Sequence, residues 1–125
     1  MSITRTRVAC FLFALLIGSV IYAADMGIGQ RYFDIVRSFP FGDKISHFVL
    51  MGIMSALANL ATRGRRARFG PISPGVGTTI VAIVVVAEEI SQLWIPGRNF
   101  DLFDLAADFL GITCGELLAV RYRRC

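Results

Sequence analysis

A chain of 125 residues with 55% apolar side chains, a formal net charge of +4 and three cysteines is too short for two compact domains. At a mean hydropathy of +0.64 it is also too apolar for an ordinary water-soluble one. What remains is a single membrane-embedded unit spanning residues 1–125.

Four apolar runs can be marked, Val8 to Ala24, Ile45 to Ala61, Ile72 to Ile95 and Leu102 to Val120. A spanning helix needs roughly 17 to 25 apolar residues, so the sequence predicts an all-α protein, a four-transmembrane-helix bundle with spans at about 8–24, 45–61, 72–95 and 102–120. The first run follows Arg5 and Arg7 as a secretory signal would, but Tyr22 and Ile21 occupy the positions where cleavage wants a small residue. An uncleaved anchor is expected.

Between the first two runs, Ile28, Tyr32, Val36 and Phe39 recur near helical spacing, with Arg31, Asp34 and Ser38 on the other side. This pattern predicts a short outer interfacial helix. Pro40 and Gly42 end it, and Asp43 is placed to cap the second span. The Gly-, Pro- and Arg-rich stretch Arg63 to Pro74 reads as a loop.

Charge sets the expected orientation. Arg5, Arg7, Arg63, Arg65, Arg66, Arg68, Arg121, Arg123 and Arg124 all fall on one side of an alternating four-span path, leaving Arg31, Arg37, Lys44 and Arg98 on the other. Loops rich in Lys and Arg stay in the cytoplasm, so both termini and the central loop are expected inside. Topology signalling accounts for these clusters, and no nucleic-acid partner is expected. Asp25, Asp34, Asp43, Glu88, Glu89, Asp101, Asp104 and Asp108 map to the outer half, with Glu116 alone near the inner face. Acids contribute little to orientation, so the acidic bias of the outer end points to function there. No two cysteines share the outer side, so no structural disulfide is expected.

The densest polar stretch is Glu88 to Asp108, EEISQLWIPGRNFDLFDLAAD. Charges beside membrane-length apolar runs are costly and usually face a protein interior or a wet cavity. Glu89 and Gln92 lie one turn apart near the outer end of the third run, and Pro96-Gly97 makes a turn with Arg98 at its tip. Asp43, Lys44 and His47 occupy the outer first turn of the second run. Along the fourth, Asp101, Asp104, Asp108, Gly111 and Gly115 follow steps of three, four, three and four, one stripe of a helix. Facing lipid it would expose three carboxylates, so it should face the bundle, its two glycines allowing close helix approach. The candidate polar site is therefore Asp43, Lys44, His47, Glu89, Gln92, Arg98, Asp104 and Asp108. Plainer roles exist for several members: Asp43 and Asp101 as helix caps, Lys44 as a snorkelling side chain, Arg98 with Asp104 as a pin across the turn.

The series Asp43-Lys44-x-x-His47, Glu89-x-x-Gln92, Pro96-Gly97-Arg98, Asp104 and Gly111-x-x-x-Gly115 resembles the VanZ-like family, named for a membrane protein associated with teicoplanin resistance. The likeness covers about the last two-thirds of the chain. It implies a small integral membrane protein of the bacterial cytoplasmic membrane, linked in some members to glycopeptide tolerance and without a settled biochemical activity. Asp108 departs from it, since that position is usually Asn in the family.

No Ser-His-Asp order, metalloprotease helix or Gly-rich phosphate loop is present. Two functions are expected to compete. One is a non-enzymatic envelope protein whose outer acidic pocket binds an envelope ligand or whose bundle docks another membrane protein. The other is a membrane enzyme acting on a lipid-linked or cell-wall precursor, with His47 and either Glu89 or Asp104 as acid and base. No cofactor is required, although His47, Glu89 and Asp104 offer one nitrogen and two carboxylates to a divalent cation. The bilayer is the expected partner, and a homo-oligomer is compatible with the sequence.

Overall fold

A computed structural model describes residues 2–40, 42–96 and 100–124. Among these residues the structure is helical, with α1 at Ile3–Asp25, α2 at Gln30–Ser38, α3 at Gly42–Ala61, α4 at Val76–Ser91 and α5 at Leu102–Arg124, plus a 3-10 turn at Gln92–Trp94. The Ser2 hydroxyl caps α1 by accepting from the Arg5 N–H. Gly27 and Gly29, both at positive φ, turn the chain into α2, the short amphipathic helix expected between the first two runs. α3 begins at Gly42, so Asp43 lies inside its first turn, where its charge complements the helix dipole. The loop after α3 is more ordered than its composition implies, because isolated antiparallel bridges join Arg66 to Gly75 and Phe69 to Ile72.

α3 is the central helix, touching each of the other four. It runs parallel to α5, since Lys44 meets Asp101 and Asp104, His47 meets Asp108, and Ser55 meets Ile112. α4 runs the opposite way, with Asn59 on Thr78 at one end and Glu89 on Asp101 at the other. Arg7 near the start of α1 donates to the Ala61 carbonyl at the end of α3. The start of α1, the loop after α3 and the end of α5 thus share an arginine-rich end. The opposite end holds α2 and the acidic residues.

Glycine and hydrogen bonding fix the α3–α5 seam. A Cβ at Gly111 would run into the Phe48 carbonyl, and one at Gly115 into that of Gly52, so the two backbones meet without intervening side chains. Deeper in, Ser55 Oγ donates to the Ile112 carbonyl at 2.8 Å. Asn59 donates to the Ser55 carbonyl and to Thr78 Oγ1, and its Oδ1 accepts from the Thr78 N–H, tying α4 to α3. The buried apolar cluster is small, Ala58, Val81, Val85 and Ile112, with Met51, Met54 and Leu105 against it. Large apolar side chains such as Phe11, Leu15, Ile83 and Leu118 are exposed, as lipid-facing residues are.

The expectation of four spans needs correction. Among the described residues three helices are long and apolar enough to cross a membrane, Ile3–Asp25, Gly42–Ala61 and Val76–Trp94. The run at 102–120 is not one of them. α5 has the length, but Asp104, Asp108 and Glu116 interrupt it and Arg121, Arg123 and Arg124 end it, so every 18-residue stretch carries at least three charged residues. The described residues form an all-α, five-helix structure with three candidate spans, and α5 lies along α3 through its glycines and carboxylates.

Candidate functional site

At the acidic end, α3 and α5 bring five of the sequence-derived candidates into one network. Lys44 Nζ lies 2.7 Å from Asp104 Oδ1, 2.9 Å from Asp101 Oδ2 and 3.7 Å from Asp43 Oδ2. One turn deeper, His47 Nδ1 is 2.9 Å from Asp108 Oδ1, while His47 Nε2 faces Asp43 Oδ1 at 3.7 Å. A carboxylate can only accept, so Nδ1 carries the proton of the close pair and Nε2 is left toward Asp43 and Asp104. Helical spacing produces this arrangement. Asp43 and His47 are one turn apart on α3, Asp101, Asp104 and Asp108 stand along one stripe of α5, and the parallel course of the helices keeps both series in step.

Burial grades the network. Asp43 is half exposed at the mouth, Lys44 and Asp101 are partly covered, and Asp108 is only 3% exposed at the floor. Outside the helices, Asp101 is held below the usual carboxylate range by the Lys44 ammonium and by the Phe103 N–H, which donates to Asp101 Oδ1 at 2.8 Å. That last bond makes Asp101 the cap of α5, as expected. Its ion pair with Lys44 was not foreseen.

α4 contributes less directly. Glu89, 1% exposed, accepts from the Asp101 N–H through Oε1 at 3.0 Å and so anchors the entry to α5. Its Oε2 has no hydrogen-bond partner among the described residues. Gln92 is buried too, but its amide donates to Glu88 Oε1 at 2.8 Å and reaches none of the α3 candidates by hydrogen bond. Arg98 lies outside the described residues, and with it the proposed pin to Asp104.

Metal-donor geometry differs from the sequence expectation by one residue. Donor atoms of Asp43, His47 and Asp104 lie within 4.8 Å of one another, with Asp43 in the place expected for Glu89. Asp108, holding the far side of the imidazole, has the position of the carboxylate that orients a histidine ligand. Lys44 competes for the same space, because its ammonium already pairs with Asp104 and Asp101.

Sequence reasoning missed a second set of polar contacts, Ser55, Asn59 and Thr78 between the spans. The signal was legible as an amide and a hydroxyl one turn apart within an apolar run. It also left out the pairing of Glu116 with Arg66 at the arginine-rich end.

The sequence profile of the VanZ/LLP1 family matches residues 2–123, and the chain belongs to that family. Comparison with curated proteins and with solved structures gave no match.

Proposed function

We propose that this VanZ/LLP1 family member is a multi-pass protein of the bacterial cytoplasmic membrane whose acidic end faces outward and binds a cationic group of an envelope ligand. On this reading the arginine-rich end lies in the cytoplasm, the end of α5 being returned to that side by its packing along α3 rather than by an apolar span of its own, and the protein contributes to tolerance of teicoplanin-type glycopeptides. The observation that supports it is the seat of Lys44, whose ammonium is surrounded by Asp43, Asp101 and Asp104. Carboxylates so arranged suit a second ammonium or a hydrated cation. Among the described residues at this end, eight acids, Asp25, Asp34, Asp43, Glu88, Glu89, Asp101, Asp104 and Asp108, stand against Arg31, Arg37, Lys44 and His47, a surplus that disfavours anionic ligands.

The test compares teicoplanin susceptibility of cells producing the wild-type protein with cells producing Asp43→Asn/Asp104→Asn at matched membrane abundance. Wild type should raise the inhibitory concentration and the variant should return it to that of cells without the protein. Equal tolerance in both would refute the reading.

A second reading is favoured by the Asp108–His47 pair. An imidazole held at Nδ1 by a buried carboxylate presents Nε2 as a general base or metal ligand. A membrane enzyme acting on a lipid-linked precursor would use His47 with Asp104. Glu89, tied to the Asp101 backbone, would position rather than react. Metal content of the purified protein, with and without His47→Ala, separates the versions: a stoichiometric ion lost in the variant supports a metal-assisted enzyme.

A further inference from the structure

The arginine-rich end contains a cleft of about 350 Å³ between the loop after α3 and the last turns of α5, lined among others by Arg66, Arg123, Arg124 and Glu116. It lies at the far end of the bundle from the acidic network. The structure assigns this cleft as a binding site for a phosphate-bearing anion, the head group of an acidic phospholipid.

Three features carry the assignment. The cleft already holds one oxyanion: Glu116 Oε1 accepts from the Gly75 N–H at the start of α4 and from Arg66 Nη1. A guanidinium beside a backbone N–H at a helix start is the chemistry that receives phosphate oxygens. Charge remains after Glu116 is satisfied, because three guanidinium groups face one carboxylate. Among the described residues Arg123 and Arg124 have no hydrogen-bond or ion-pair partner, and the Arg123 guanidinium lies in the space that a side chain at Gly64 would fill. Position supplies the third. α1, α3 and α4, the three apolar helices, each have an end here, so the cleft sits where an apolar span meets lipid head groups, and basic pockets between helices at that depth bind acidic lipids. Its volume suits a head group and falls within the range of small-ligand sites. Topology signalling explains why arginines lie at this end, but not why two of them line a cleft without partners.

The test uses the full chain in nanodiscs of phosphatidylcholine doped with phosphatidylglycerol, scoring retained lipid by native mass spectrometry. Wild type should retain phosphatidylglycerol over phosphatidylcholine. Arg123→Gln/Arg124→Gln should lose about fivefold per guanidinium removed, with unchanged thermal unfolding, and Arg123→Lys/Arg124→Lys should keep part of the preference. A parallel arm titrates inorganic phosphate into detergent-solubilised protein. Arginine-dependent phosphate binding without lipid preference would keep the anion site but overturn the lipid as its occupant. No lipid preference and no phosphate binding, or a preference unaltered in the glutamine variant, would overturn the assignment.

Discussion

His47 Nδ1 on α3 meets Asp108 Oδ1 on α5 at 2.9 Å, and this contact joins the seam of the two helices to the floor of the acidic network. The carboxylate is nearly buried, so removing it leaves the imidazole N–H facing apolar surroundings without an acceptor. Asp108→Leu should cost about 2 kcal/mol of stability, the loss expected for a hydrogen bond to a charged group, whereas Asp108→Asn keeps an acceptor oxygen and should cost less than about 1. Denaturant unfolding in detergent micelles measures both. Equal stability of the leucine variant and the wild type would show that the pair holds nothing together.

The seam itself depends on absent side chains. Gly111→Val places carbon against the Phe48 carbonyl and should destabilise by about 1 to 3 kcal/mol through overpacking. Gly18→Ala inside α1, with nothing within 4 Å of the added carbon, should not destabilise and should gain up to about 1 kcal/mol from helix propensity. The same unfolding assay reads both, and similar losses at the two positions would contradict close α3–α5 contact.

Acid sensitivity follows from Asp101. Its carboxyl is depressed in the folded protein by Lys44 and the Phe103 N–H, so the stability it contributes is present above the unfolded carboxylate value of about 3.9 and is lost as pH falls through the lower folded value. Between neutrality and pH of about 5 this group should contribute no slope. Lys44→Met removes the principal cause, so carboxyl NMR should show Asp101 titrating at higher pH in the variant than in wild type. An unchanged titration would place Lys44 elsewhere in solution.

Much of this was readable in the sequence, and the reasons differ by element. The stripe Asp101, Asp104, Asp108, Gly111, Gly115 announced a helix that turns carboxylates and glycines to one side, and α5 does lay that side on α3. Apolarity alone misjudged α5 as a span, because a run counted by its leucines and phenylalanines conceals how regularly charge interrupts it. Asp108, the one member outside the family resemblance, forms the closest contact with His47. Spacing could place it on the right face but not measure its depth. Sequence position alone puts Glu89 and Gln92 beside His47, because all three sit near one end. Which atoms touch depends on the rotation of α4, and the structure turns Glu89 to the Asp101 backbone and Gln92 to Glu88.

The proposed function turns on the acidic end facing out of the cell. In a background with Cys10, Cys114 and Cys125 replaced by Ser, a single cysteine at Arg31 on exposed α2 reports one end and a single cysteine at exposed Arg65 the other. A membrane-impermeant thiol reagent applied to intact cells should label Arg31→Cys at once and Arg65→Cys only after permeabilisation. The reverse pattern would put the acidic network in the cytoplasm and contradict the account.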